Sequence, residues 1–187
     1  MKKYSLLLFL MLVVSIIQAQ TEVKDFSLIN VHSGQAVTLN QFSSHSGVAI
    51  IFYSNECPYD NYYKERIRSL VTSYGAKIQF LLVNPYQEPA ESTDKMAIHY
   101  GDLNIPYLAD KDQIVMNNLG AKKSPEVFLL KNAGGKFSLY YSGAIDDNAQ
   151  TEKDVTSHYL KSALDQLISN QAAPESNRAV GCTIRKK

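Results

Sequence analysis

One stretch limits the folds open to this chain more than any other: GVAIIFYSNECPYDNYYKERIRSL, Gly47 to Leu70. Val48 to Tyr53 is an unbroken β-branched and aromatic run of strand length. It does not alternate, so it predicts a central strand covered on both faces. Ser54, Asn55 and Glu56 break the run. Pro58 then suits the first position of a helix, where a missing N–H costs nothing, and this puts Cys57 at or beside the N-cap. Tyr59, Tyr63, Ile67, Leu70, Val71 and Tyr74 keep a helical period, and Gly75 closes it. A thiol at such a point faces unpaired backbone N–H groups and the positive end of the helix dipole, both of which favour thiolate. The stretch reads as a device for making a nucleophile near neutral pH.

The chain begins MKKYSLLLFLMLVVSIIQAQ, with two lysines, an uncharged run from Ser5 to Ile17 and a small residue, Ala19, before Gln20. That pattern predicts a secretory signal peptide. Its apolar run is shorter than the roughly 20 residues that span a bilayer. The expected organisation is a signal over residues 1–19, one domain over residues 20–170 and a tail over residues 171–187 that carries Cys182. Export to the periplasm or beyond follows, with no stable membrane insertion once the signal is cleaved. Without Lys2 and Lys3, 17 basic side chains face 18 acidic ones, a formal charge of −1. Such a balance, with no basic stripe, argues against a nucleic-acid partner. Cys57 and Cys182 both lie beyond the signal and would meet an oxidising compartment, where two cysteines permit one intramolecular disulfide. His32, His45, His99 and His158 are scattered without ligand spacing, so neither a metal nor another cofactor is expected.

Taken in order, Val23 to Asn30 and Ala36 to Leu39 flank the turn-like HSGQ and predict an edge hairpin. After the cysteine helix, Lys77 to Asn84 reads as a second buried strand that ends in the breaker cluster NPYQEP. Ser92 or Thr93 caps a helix running to Gly101. Ile105 to Ala109 reads as extended and Asp112 to Leu119 as a short helix. Glu126 to Leu130 and Lys136 to Ser142, joined by NAGG, form an antiparallel hairpin. Val155 to Ile168 carries the apolar stripe of an amphipathic last helix. GAIDDNAQTEKD, with Asp146 and Asp147, reads as solvated loop, and the tail has no periodicity, which makes it the candidate for disorder. Strands alternating with helices and followed by an antiparallel edge indicate a mixed sheet covered on both faces.

These residues resemble the redoxin family, the peroxiredoxin-like or thiol-specific antioxidant branch of the thioredoxin fold. Four segments between about Val23 and Ile168 carry the resemblance: DFSLINVHSGQAVTLNQF, AIIFYSNECPYD, KSPEVFLL and YYSGAIDD. A lone active-site Cys-Pro together with the late GCTIRKK is similar to an exported subgroup. The implied fold is α/β, thioredoxin-like, with a central mixed β-sheet flanked by helices and an N-terminal β-hairpin extension. The implied catalytic group is Cys57 as nucleophile, Ser54 offering its hydroxyl to a bound peroxide, and a cis Pro125 whose neighbouring backbone, at Ser124, faces the thiol. Glu56, Pro58 and Asp60 are active-site neighbours, the two acids opposing thiolate or relaying protons.

Departures from the family pattern are informative. Asp60 stands where a dithiol reductase carries its second cysteine, so CPYD forms no local dithiol. Ile50 stands where the usual peroxidase motif has proline. Arg66 and Arg68 are candidates, by proximity, for the arginine that polarises peroxide. Tyr53, Tyr59, Tyr62 and Tyr63 read as packing and rim. Cys182 has three readings: a resolving thiol for Cys57, its structural disulfide partner, or an unpaired bystander. The resemblance implies an exported thiol-dependent oxidoreductase acting on a peroxide or on a protein thiol or disulfide and recharged by an external reductant. Peroxidase-like chemistry comes first, with thiol–disulfide exchange and a non-catalytic binding module as alternatives.

Overall fold

Strand β3, Gly47–Phe52, is buried along its whole length and organises everything around it. Its side chains alternate between two apolar clusters: Ala49 and Ile51, followed by Tyr53, enter one, while Val48, Ile50 and Phe52 enter the other. Because both faces are covered, no polar position was needed and none appears in the sequence. β4 (Ile78–Asn84) pairs parallel with β3 on one side, and β7 (Glu126–Ala133) pairs antiparallel on the other. This is a computed structural model, describing residues 22–99 and 105–187. The expected signal peptide lies outside those residues, as do Tyr100 and Gly101 at the end of the helix expected after Ser92.

The remaining strands extend the sheet outward. β1 (Ser27–Asn30) and β2 (Ala36–Thr38) form the N-terminal hairpin, β5 (Tyr107–Ala109) joins it to β4, and β8 (Lys136–Gly143) closes the other edge. The seven strands run in the order β2-β1-β5-β4-β3-β7-β8. β6 (Lys123–Ser124) lies apart, just before β7, and pairs with β9 (Cys182–Thr183). The fold is the mixed α/β sheet flanked by helices, with a hairpin extension, that the residue order predicted.

Helix α1 (Pro58–Tyr74) and helix α4 (Tyr159–Ile168) cover one face, with Tyr63, Ile67, Leu160, Leu164 and Leu167 inserted into the first cluster. Each such fully buried leucine contributes ~1.5–3 kcal/mol relative to exposure. Helix α2 (Thr93–Ile98) adds Met96 to that cluster, whereas helix α3 (Ile114–Leu119) packs Val115 and Met116 on the opposite face. The helix begins at Ile114 rather than at Asp112, and the Asp110 carboxylate caps it by accepting hydrogen bonds from the N–H groups of Ile114, Val115 and Met116.

Two expectations need correction. The last helix begins at Tyr159 and not at Val155. A short 3-10 turn, Glu152–Asp154, precedes an extended piece in which Asp147 accepts from the Thr156 N–H and itself donates its own N–H to the Ser157 carbonyl. The tail is ordered rather than loose. Asn177 bridges to Gly143, whose φ of 134 and missing Cβ admit the Asn177 backbone at a distance no side chain would tolerate. Beyond it β9 pairs with β6, and Ile184 is buried in the second cluster.

Candidate active site

The N-terminus of α1 is where β3, the β6–β7 corner and the tail meet. Cys57 is the N-cap of α1 with Pro58 in the first turn. Its sulfur is bonded to that of Cys182, with the two Cα atoms 6.0 Å apart and 125 positions apart in sequence. The bystander reading of Cys182 is thereby removed, and its other two readings share one geometry. Cys57 is 2% exposed, while Cys182 is half-buried and meets solvent at the cleft. The Ser124–Pro125 peptide is cis, and the Ser124 carbonyl oxygen lies 3.3 Å from the Cys57 sulfur.

The loop ahead of Cys57 is held by a buried acid that no sequence pattern marks. The Glu91 carboxylate accepts from the Ser54 hydroxyl, the Asn55 N–H at 2.9 Å, the Glu56 N–H at 3.2 Å and the Asn84 side-chain amide at 2.7 Å. Ser54 Oγ in turn accepts from the N–H groups of Glu56 and Cys57, both at 3.1 Å. Its own proton is directed to Glu91, so Ser54 fixes the cysteine loop and has no proton aimed at a bound peroxide. Lys111 spans the other side, donating to Asn84 Oδ1 and to the Tyr86 and Glu91 carbonyls. Burial lowers its pKa to about 8, against the pull of Glu91.

Asp60 lies fully buried behind the disulfide. One carboxylate oxygen accepts from the Ser54 N–H at 2.9 Å and from the Ser124 hydroxyl, while its other oxygen has no partner. Burial without a cation raises its pKa well above the usual carboxylate range, and those hydrogen bonds only partly oppose the rise. A protonated Asp60 places no like charge beside a Cys57 thiolate, so it does not oppose ionisation as a charged acid would. Glu56 is exposed at the rim. Tyr86 donates its hydroxyl to the Cys182 carbonyl at 3.4 Å.

A cleft of about 210 Å³ opens over the disulfide, lined by Ser54, Glu56, Cys57, Tyr86, Glu88, Glu91 and Cys182. Its charged lining is acidic. Neither arginine expected there is present. Arg66 is buried 2.7 Å from Asp146, with its guanidinium 3.8 Å above the Tyr63 ring, and Arg68 pairs with Glu65 at the surface. Asp146, expected in solvated loop, is buried and accepts from both Arg66 and the Tyr63 hydroxyl. Of the four tyrosines, Tyr53 and Tyr63 are core while Tyr62 is exposed. Among the described residues, no group of three or more His, Cys, Asp or Glu converges on a metal position.

Comparison with known proteins places this geometry. Residues 19–136 match the family described as the AhpC/TSA family. Comparison with curated proteins finds no match. Two solved structures superpose over nearly the whole chain. An uncharacterized conserved protein of Geobacillus kaustophilus is 26% identical, with a TM-score of 0.80 over 90% of this chain and 92% of its own. A hypothetical protein of Sinorhizobium meliloti is 27% identical, with a TM-score of 0.78 over 88% of this chain and 92% of its own. An exposed lipoprotein thioredoxin of Streptococcus pneumoniae, 20% identical, shares the fold at a TM-score of 0.58, over 76% of this chain and 99% of its own.

Proposed function

Given that the chain belongs to the AhpC/TSA family, we propose that it is an exported thiol-dependent oxidoreductase that cycles between a Cys57, Cys182 dithiol and the Cys57–Cys182 disulfide. The observation that carries this reading is that the disulfide sits at a helix N-terminus and both of its cysteines line an open cleft, Cys57 buried and Cys182 half-buried. In the oxidising direction the Cys57 thiolate attacks a substrate disulfide. A new S–S bond forms to Cys57, and one substrate sulfur leaves with the electron pair. The Cys182 thiolate then attacks Cys57, closing the internal disulfide and releasing the second substrate thiol. Recharging needs two equivalents of an external thiol. The first attacks the accessible Cys182 sulfur, and Cys57 leaves as a thiolate favoured by the α1 dipole.

Thiol–disulfide exchange is favoured over peroxide reduction by the lining of the cleft. Among the described residues no arginine or lysine lines it, and the Ser54 hydroxyl is committed to Glu91. Peroxide reduction is the second reading, favoured by the family match. In it Cys57 becomes a sulfenic acid with loss of water or alcohol, and Cys182 condenses with it to the same disulfide. The test is intact mass of pre-reduced mature protein, with Cys57→Ser and Cys182→Ser variants, after exposure to a small disulfide or to hydrogen peroxide. Rapid closure of the internal bridge by the disulfide supports exchange. Fast closure by peroxide alone, with a sulfenic acid at Cys57 in Cys182→Ser, favours the second reading. A bridge that resists mild thiols and, once opened, recloses no faster than free cysteine would overturn both and leave a structural cross-link in a binding module.

A further inference from the structure

The cleft over the disulfide carries charge of one sign. Glu56, Glu88 and Glu91 contribute carboxylates to its wall, and no cationic side chain among the described residues does. Glu91 is buried and committed to the cysteine loop, whereas Glu56 and Glu88 are exposed. The cations of neighbouring elements are engaged elsewhere. Lys111 gives its ammonium to Asn84 Oδ1 and to the Tyr86 and Glu91 carbonyls. The register of β6 with β9 sets Ser124 opposite Cys182 and Lys123 opposite Thr183. Because successive side chains of a strand point to opposite faces, Lys123 lies on the face away from the Cys182 side chain, where its ammonium meets the Thr183 hydroxyl at 2.9 Å. Lys187, at the end of the tail, pairs with Asp112 at 3.1 Å. Among the described residues no ion pair neutralises Glu56 or Glu88.

At about 210 Å³ the cleft is small beside the ~300–1,000 Å³ of a pocket for a drug-sized ligand, so it fits one short arm of a partner. Thiol–disulfide exchange spreads negative charge along the sulfurs of its transition state. Carboxylates beside that line oppose the charge, and an ammonium group on the partner offsets them. We infer that Glu56 and Glu88 set the charge preference of the exchange reaction, and that its partners are small amine-bearing thiols and disulfides. The inference rests on the exchange reading and names its substrate class. In the oxidising direction the Cys57 thiolate forms an S–S bond to one sulfur of the amine-bearing disulfide, and the other sulfur leaves with the electron pair. The Cys182 thiolate then displaces the second aminothiolate from Cys57 and closes the internal bridge. The dithiol is oxidised and the partner is reduced to free aminothiol.

The test mixes pre-reduced full-length mature protein with dicationic cystamine, neutral hydroxyethyl disulfide or dianionic dithiodipropionate, and follows closure of the internal bridge by intact mass. Each rate is divided by that of the same disulfide with mercaptoethanol thiolate. The division cancels intrinsic reactivity and the pull of a single thiolate on a cation. At about 0.01 M salt, where the Debye length is ~30 Å, the normalised rate for cystamine should exceed that for dithiodipropionate roughly tenfold, with the neutral compound between them. At about 1 M salt, where that length is ~3 Å, the ratio should fall toward one. Glu56→Gln combined with Glu88→Gln should cut the low-salt ratio to about threefold or less. Both side chains are exposed, so the variant alters charge without disturbing the core. Equal normalised rates for the three disulfides, or a ratio that survives the double variant, would overturn the charge preference and leave exchange intact. Failure of all three to close a bridge that hydrogen peroxide closes would overturn the exchange reading itself, and the inference with it.

Discussion

Two buried aspartates, one at each end of the α1 chemistry, have opposite surroundings. Asp146 is met by a guanidinium and a phenol, Arg66 at 2.7 Å and Tyr63 at 2.9 Å. Asp60 is met only by the dipoles of the Ser54 N–H and the Ser124 hydroxyl, and one of its oxygens is left alone. Both are almost wholly removed from solvent. A buried carboxylate that keeps its charge needs a cation, and the Arg66 pair supplies one where the loop after β8 must be pinned to α1. A buried carboxyl without a cation takes up a proton instead, which is what the neighbourhood of a redox-active sulfur can use. The first site is architecture and the second is chemistry, though in sequence both are an aspartate next to polar residues.

The contrast can be broken most forcefully at Arg66. Arg66→Ala leaves Asp146 buried and unpaired, and a loss of about 3–5 kcal/mol is expected in chemical denaturation. Arg66→Met combined with Asp146→Asn should recover much of that loss, and a double variant as unstable as the single would show that the charge is not what matters. Next comes Glu91→Ala, which takes the acceptor from four donors and leaves the Ser54 hydroxyl and the Asn55 N–H stranded in the cysteine loop, for a cost of roughly 2–4 kcal/mol in the same assay. A change below that of a surface substitution would mean the loop does not depend on Glu91.

Asp60→Asn should act on pH dependence more than on stability at its optimum. The pKa of Asp60 is raised in the folded protein, so its stabilising contribution is complete below about pH 4, where the unfolded aspartate titrates, and is lost as pH rises through the folded value. Wild type should therefore lose stability along that ascent relative to Asp60→Asn. Urea midpoints that run parallel across the series would refute the buried proton. Smallest of all is Arg68→Ala, two residues from Arg66 on the same helix. Its pair with Glu65 is exposed, and a change under about 1 kcal/mol is expected; a larger one would show that exposure misjudges this helix face.

What could be read from the sequence was local. β3 was legible because a run of six apolar residues has no wet side to show, and the α1 start was legible because Pro58 fixes a helix entry one residue after the cysteine. Glu91 was not. It lies just past the breaker cluster NPYQEP, and three of its four donors come from a loop 35 to 37 positions earlier. No period marks a side chain whose partners are assembled by tertiary folding. Asp146 was misread for the same reason, its cation lying 80 positions away on another element. The tail shows no helical or strand pattern because two residues of pairing, one disulfide and backbone bonds to Gln113 order it. A faint signal was present in Gly181-Cys182-Thr183-Ile184, where a glycine and an aliphatic residue frame the second cysteine.

The span between the two cysteines also has a consequence in time. A ribosome makes Cys57 first and must add 125 further residues before its partner exists. Throughout that interval the early thiol is solitary, and any bond it makes with another molecule has to be exchanged away later. A chain that stops short of Cys182 never acquires the mate. The bridge therefore marks a chain that has reached Cys182. An affinity tag fused after Lys187 would sit directly beside an N–H that already holds Gln113 at 2.7 Å.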